Sequence, residues 1–273
     1  MRYVFFGTPD FAAIILERLI AAGLPPALIV CNPDRPTGRK KIITPPPAKI
    51  VAQKNGFPVL QPVDLKTEDF KSEIKDFDLG IVAAYGQIIP KEIIGSFKNG
   101  VLGVHPSLLP KYRGATPIQS VILNGDRVTG VTLFLMDEQI DHGPILAQRE
   151  FRIQNLESGI WNYETLHDKL AELGGDLLVE TIPKYAKGEY KLQPQNDKDA
   201  TYTKKFKDDD AYIDLEKDDP VMVERRVRAL NPEPGVWTFQ NNKKRLKILE
   251  AEIIDGKLKL KKIQIEGKTP QNL

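Results

Sequence analysis

An open, doubly wound α/β domain with a mostly parallel sheet, followed by a small β-barrel of OB-like type, is the fold this sequence predicts. Three observations carry that expectation. Strand-length apolar runs alternate with helical periodicity over residues 1–188, as in successive βαβ units. Leu79-Gly80-Ile81-Val82-Ala83-Ala84 is apolar from end to end, which suits a strand covered on both faces at the centre of a parallel sheet. Beyond residue 208 the pattern shortens to brief strands packed into a short length of chain, as small closed β structures require.

Each element follows in order. Tyr3-Val4-Phe5-Phe6 reads as a buried strand, Gly7-Thr8-Pro9 as the turn after it, and Asp10 as the cap of a helix whose Phe11, Ile14, Ile15 and Leu19 recur at helical spacing. Ala27-Leu28-Ile29-Val30-Cys31 gives a second strand, residues 47–55 a helix closed by Gly56, and Pro58-Val59-Leu60 a short third strand. Residues 68–75 are helical, and Gly100-Val101-Leu102-Gly103-Val104 is a strand beyond the central one and a further helical stretch. Then come a helix over 117–123, a strand over 130–136, extended stretches at 145–148 and 151–153, and a long amphipathic helix over 163–187. Residues 189–207 are polar and aperiodic, so they are expected to link a domain over 1–188 to one over 208–273. In that second domain a helix over 221–230 precedes strands near 236–239, 246–249, 251–254 and 258–265.

Of the 273 residues, 41% are apolar and 28% charged, a globular balance that excludes a low-complexity chain. The longest apolar runs, such as residues 131–136, fall far short of the roughly 18 residues that span a bilayer. The apolar start is cut by Gly7-Thr8-Pro9-Asp10 too early for a signal peptide, so no membrane association and a cytoplasmic location are expected. The single cysteine, Cys31, excludes an intrachain disulfide framework and a cysteine-cluster metal site, and is expected to be buried at a strand end. A net charge of +2 conceals an asymmetry: residues 221–273 hold twelve Lys or Arg against six Asp or Glu, leaving 27 against 31 for the rest. A tail of +6 on a body of −4 points to a polyanionic partner.

Ligands of open parallel sheets bind outside the carboxyl ends of strands, so the loops after the apolar runs come first. Gly7-Thr8-Pro9 lacks GxGxxG spacing, which argues against a nicotinamide cofactor and leaves a tight turn. Asn32-Pro33-Asp34-Arg35-Pro36-Thr37-Gly38-Arg39-Lys40-Lys41 gathers four cations within seven residues, and on composition alone it is equally a solvated loop and a phosphate-binding one. In Ala84-Tyr85-Gly86-Gln87-Ile88-Ile89-Pro90 a glycine admits a ligand to the backbone, whose peptide groups can pair with a planar heterocycle.

The fourth loop, His105-Pro106-Ser107-Leu108-Leu109-Pro110-Lys111-Tyr112-Arg113-Gly114, opens on a histidine at a strand end, able to exchange protons near neutral pH. A lone histidine is more often structural. Here, however, the strand over 131–136 leads into Asp137-Glu138-Gln139-Ile140-Asp141-His142-Gly143, which supplies a carboxylate to orient or charge-couple with His105. His142 falls in the same loops, whereas His167 sits in a helical pattern as a surface or packing residue.

In order and spacing, Phe6-Gly7-Thr8-Pro9-Asp10-Phe11-Ala12, the 32–41 loop, residues 84–90, residues 104–115 and residues 136–143 resemble the 10-formyltetrahydrofolate-dependent formyltransferases that act on methionyl-tRNA. The likeness spans nearly the whole chain, since Ile213-Asp214 and Val227-Arg228-Ala229-Leu230-Asn231-Pro232 resemble the start of that family's tRNA-binding barrel and Gln264-Ile265-Glu266-Gly267-Lys268 its last strand. The chain ends soon after, so a minimal barrel is expected.

The resemblance implies a Rossmann-like formyltransferase domain that moves a formyl group from 10-formyltetrahydrofolate, the co-substrate, to the methionine amino group of initiator methionyl-tRNA. It implies direct attack by the amine, with no metal and no covalent intermediate. By resemblance His105 handles the proton and stabilises the oxyanion, while Asp141 holds His105 in position or accepts the amine proton. Ser107, Leu108, Leu109 and Pro110 correspond to the folate-binding loop, and Gln87, Ile88 and Ile89 to the backbone that pairs with the pterin. Arg39, Lys40 and Lys41 correspond to the loop that enters the acceptor end of the tRNA, and the chain is expected to act as a monomer.

The departure is Gly103. The family places asparagine two residues before the histidine, and losing one such oxyanion donor typically costs ~10²–10³ in rate. Asn99 is not at the matching position. Activity is nevertheless expected, because the other motif elements are present. Two alternatives stand beside this reading: transfer to an amino sugar nucleotide, which needs neither the basic tail nor the Arg39 loop, and a weakly active or non-catalytic protein that binds folate and tRNA.

Overall fold

The computed structural model describes residues 1–38, 40–154, 161–240 and 244–273, and by contact they form two units. One comprises Met1–Arg113, Gly130–Glu150 and Asp168–Thr201; the other comprises Gly114–Thr129, Phe151–His167 and Tyr202–Leu273.

The first unit is organised around β1 (Tyr3–Gly7), whose five residues are all buried because strands and helices cover both its edges and faces. After β1 come α1 (Asp10–Ala21), β2 (Leu28–Val30), an exposed hairpin of β3 (Arg35–Thr37) and β4 (Ile42–Thr44), α2 (Pro47–Lys54) and β5 (Val59–Leu60). The chain then returns through α3 (Glu68–Ile74), β6 (Leu79–Ala83), α4 (Lys91–Ile94) and β7 (Val101–His105). A short β8 (Arg113–Gly114), β9 (Val128–Leu135), β10 (Ile145–Arg152) and α6 (Tyr163–Ala186) follow, while α5 (Pro117–Asn124), between β8 and β9, and the first residues of α6 belong to the second unit. The seven-stranded sheet runs β10-β9-β7-β6-β1-β2-β5. β5, β2, β1, β6 and β7 are parallel, whereas β9 is antiparallel to β7. Strand order therefore reverses between β1 and β6, the kind of switch point at which α/β sheets open a crevice.

Alternation along β1 divides the core. Phe6 meets Phe70, Tyr85 and Phe97 edge to face on one side of the sheet, and Ile15, Leu16 and Leu19 of α1 are wholly buried. Two sequence expectations change. The 32–41 loop contains one strand of a hairpin, which its exposed, mixed composition does not announce. The aperiodic stretch after residue 188 is bonded to the first unit as far as Thr201: Gln193 and Ile145 exchange backbone hydrogen bonds of 2.8 Å each way.

In the second unit β11 (Tyr202–Thr203) pairs with β8, and α7 (Pro220–Leu230) packs on β13 and β14 of the antiparallel sheet β12 (Trp237–Phe239), β13 (Arg245–Ile254), β14 (Lys257–Ile265) and β15 (Gln271–Asn272). The two strands expected at 246–249 and 251–254 are one strand. Its register shifts at Glu250, where a bulge breaks the apolar alternation without ending the ladder. Asp219 caps α7 by accepting from Met222 N, and Val223, Val227 and Leu230 are its buried apolar face. No helix among the described residues is long and apolar enough to cross a membrane.

Candidate active site

The switch point brings three loops together by hydrogen bonds rather than by apolar packing. Thr8 Oγ1 donates to Tyr85 O at 2.8 Å, Asn32 Nδ2 donates to the same carbonyl at 2.9 Å, and Gln87 Nε2 donates to Asn32 Oδ1 at 2.5 Å. The loop after β6 can make these bonds because Ala84 and Gly86 take left-handed backbone angles, φ 47° and 86°, which lift the chain off the sheet. Of the residues expected to pair with the pterin, Gln87 is fixed by Asn32, Ile88 is exposed, and the Ile89 side chain is buried in the core beneath. Cys31 is buried at the end of β2, and burial pushes its thiol up to about 11.

His105 ends β7 and is almost fully buried. Its Nε2 lies 2.8 Å from Tyr112 O. A carbonyl only accepts, so Nε2 carries the hydrogen and Nδ1 is the edge turned to chemistry. That edge faces Asp141 Oδ2 at 3.5 Å, an ion-pair distance longer than a direct hydrogen bond. The approach is not what strand order alone suggests. β9 runs opposite to β7, so its carboxyl end sits beside the start of β7, with Met136 N on Val101 O. His105 is four residues further along β7, roughly 13 Å at the usual strand rise, and the loop must double back to bring Asp141 there. Asp141 itself adopts φ 50°. Gly143 closes the loop where no side chain fits, since a Cβ there would fall 1.8 Å from Leu135 O.

The proposed folate loop is held from beneath by Thr132, which sits opposite His105 in the β7–β9 ladder. Thr132 Oγ1 donates to Ser107 O at 2.7 Å and accepts from Leu109 N at 3.0 Å and Gln148 Nε2 at 2.9 Å. Gln148 also donates to Leu109 O, and Ser107 Oγ to Lys111 O. Leu109 is buried, Leu108 is partly so, and Pro110 accepts from Thr201 N through its carbonyl. Neither Thr132 nor Gln148 is legible in the sequence as part of this site: each is one of several polar residues on its strand, with no local sign of its partners.

Gly103 lies two residues before His105 and so on the same face of β7. Its cross-strand partner is Phe134. A Cβ built on Gly103 would meet Phe134 Cε1 at 2.4 Å and Cζ at 2.5 Å, so the phenyl ring occupies the space of any side chain at this position. Asn99 is engaged elsewhere, its backbone N on Asp78 O and its side chain on Met1 Sδ.

Around the returning loop, His142 Nδ1 is 2.6 Å from Asp137 Oδ2, and Nε2 is 3.5 Å from Asp197 Oδ2. The hydrogen bond to Asp137 raises the imidazole above its ordinary range. Arg39 lies outside the described residues; Lys40 and Lys41 are exposed in the turn of the β3–β4 hairpin, with Lys41 N on Gly38 O. In the second unit a cavity of about 770 Å³ opens between α7 and the sheet, with Arg228, Lys247, Lys261 and Lys262 as well as Glu250 and Glu252 on its walls. His167 stands in α6 against the ring of Tyr163, as a packing residue.

A doubly wound sheet with a switch-point crevice and a buried histidine facing a carboxylate is the architecture of an α/β protein with a site suited to group transfer. The formyl transferase model matches residues 1–182, and the model of the formyl transferase C-terminal domain matches residues 205–272: the chain belongs to the formyl transferase family. It is 41% identical over 256 residues to the methionyl-tRNA formyltransferase of Chloroflexus aggregans, covering 93% of this chain and 81% of that relative. Its fold matches the solved methionyl-tRNA formyltransferase from Clostridium thermocellum with a TM-score of 0.63 at 18% identity, over 97% of this chain and 98% of that one. It also matches an N-formyltransferase from Helicobacter canadensis, solved with folinic acid and dTDP-3-aminofucose, with a TM-score of 0.65 at 21% identity over 93% and 88% of the two chains. At those identities both structures bear on fold alone.

Proposed function

We propose that the chain is a methionyl-tRNA formyltransferase, moving the formyl group of 10-formyltetrahydrofolate to the methionine amino group of initiator tRNA, with His105 and Asp141 as the proton-handling pair. The observation that carries the site assignment is the pinned imidazole: Nε2–H is committed to Tyr112 O, and Nδ1 faces Asp141. The 41% identity to a relative of that name supports the acceptor.

The amine attacks the formyl carbon, a C–N bond forms, and the carbonyl oxygen gains charge. His105 stabilises that oxygen and handles the proton the amine sheds, with Asp141 holding the imidazole in position. Collapse breaks the bond from the formyl carbon to N10, and the proton shed by the amine, relayed by the His105–Asp141 pair, completes N10–H as tetrahydrofolate leaves. Position 103 offers no side-chain donor, so His105 carries the oxyanion from this strand. Ser107, Leu108, Leu109 and Pro110, with the backbone of Gln87, Ile88 and Ile89, hold the folate; Arg39, Lys40 and Lys41 meet the acceptor end of the tRNA. The donor binds without a metal in this reading. A cytoplasmic setting, where charged initiator tRNA is found, suits it.

The experiment is formylation of charged initiator tRNA by His105→Ala and Asp141→Ala. Each is expected to lose at least ~10² in rate with the fold intact, the usual worth of acid–base groups. Near-normal rates in both refute the assignment.

A further inference from the structure

The loop that carries Asp141 doubles back across the sheet and holds that residue at a positive φ, a conformation that persists only where neighbours enforce it. The enforcement comes from a residue 54 positions further along the chain. Gln195 Nε2 donates to Asp141 O at 2.9 Å and to Gly143 O at 2.8 Å. Its Oε1 accepts from Arg113 Nε at 3.1 Å and Nη2 at 2.9 Å, and Arg113 Nη2 also reaches Asp197 Oδ1 at 2.8 Å. Arg113 is only 1% exposed. The chemistry forces the orientation of this amide, because a guanidinium only donates and a carbonyl only accepts. Both hydrogens of the Gln195 amide and both lone pairs of its oxygen are thereby used. A carboxylate has no donors for the two carbonyls, and a cation would confront Arg113. Two residues earlier, the paired backbones of Gln193 and Ile145 fix where Gln195 can stand.

We infer that Gln195, braced by Arg113, is a positioning residue for formyl transfer: by gripping the carbonyl of Asp141 it sets the Asp141 carboxylate against His105 Nδ1. The inference rests on the reading of Asp141 as the partner of His105. A displacement of about 1 Å at a reacting group costs on the order of 10²-fold in rate, and that is the loss expected here.

The test measures kcat and KM for formylation of charged initiator tRNA in the full chain and in Gln195→Met, Gln195→Glu and Asp141→Asn, alone and combined. Gln195→Met and Gln195→Glu are expected to lose on the order of 10²-fold in kcat, with KM for both substrates within about threefold, as befits an interaction that matters in the transition state. In the Asp141→Asn background either change is expected to cost no more than about twofold, the mark of coupled residues. Should Gln195→Met fail to fold, Gln195→Glu, which keeps the acceptor for Arg113, carries the same comparison. Near-unmutated kcat in the Gln195 variants beside a crippled Asp141→Asn overturns the inference alone, as does a full additive loss in the double variants. An unimpaired Asp141→Asn overturns both the inference and the reading on which it rests.

Discussion

Phe134 stands directly across the β7–β9 ladder from Gly103, with its ring against the glycine Cα on the face that carries His105. The glycine is therefore matched to the phenylalanine, and an asparagine at this position meets the ring. Gly103→Asn is expected to destabilise the chain by about 1–3 kcal/mol through overpacking and to lower the formylation rate. Combining it with Phe134→Ala, itself expected to cost about 3–5 kcal/mol as a buried ring lost, should give a double variant at least about 1 kcal/mol more stable than the sum of the singles. Urea unfolding of the four proteins measures this coupling; additive values mean that the ring does not set the space at position 103.

His142 ties stability to pH in a known direction. Asp137 raises the imidazole in the folded chain, helped by Asp197 and opposed by Arg113 and by burial. A group raised above its unfolded value of about 6.5 contributes most below that pH, and the contribution fades as pH rises through the folded value. Unfolding temperatures of the chain and of His142→Asn should therefore differ more at pH 6 than at pH 9. A gap that widens with pH contradicts the assignment.

The proposed tRNA contact of the hairpin turn has a salt signature. Lys40→Ala and Lys41→Ala are each expected to weaken binding of initiator tRNA and to lower the slope of log affinity against log salt by about 1, while leaving the unfolding temperature unchanged. A slope that stays the same in both variants places these lysines outside the tRNA contact.

Inside the second unit, Glu224 and Arg228 form a buried pair one helical turn apart, 8% and 7% exposed, and Arg228 Nη1 also donates to Trp161 O at 2.9 Å. Arg228→Met alone leaves a buried carboxylate unpaired and is expected to cost about 3–5 kcal/mol. Glu224→Leu with Arg228→Met is expected to recover most of that loss. Denaturant unfolding followed through Trp237 and Trp161, both in this unit, reads the two outcomes.

How much of this was legible in the sequence follows from range. β1, β6 and β7 announce themselves because burial on both faces demands continuous apolar runs, and His105 is visible as a rare residue at a strand end. The direction of β9 is not written in its own residues: Val131 to Met136 reads alike for a parallel and an antiparallel strand, so the doubling back of the Asp141 loop has no local signal. Gln195 is invisible for the same reason. It sits in a polar stretch that looks like linker, and its role depends on partners 82 and 54 residues away in the chain. The charge split, +6 against −4, also reads differently in the fold, since Arg226, Arg228, Arg245, Lys261 and Lys262 each lie against a carboxylate. The twelve cations of the tail are therefore not all presented to a polyanion.

The central claim is that a chain with glycine at position 103 still transfers formyl groups through His105 and Asp141. Its most direct test is the unmutated chain incubated with charged initiator tRNA, with and without 10-formyltetrahydrofolate, scoring formylmethionyl-tRNA against His105→Ala under the same conditions. The account expects product that depends on the donor and falls by at least ~10² in the variant. No donor-dependent product from the unmutated chain, or equal product from both proteins, contradicts it.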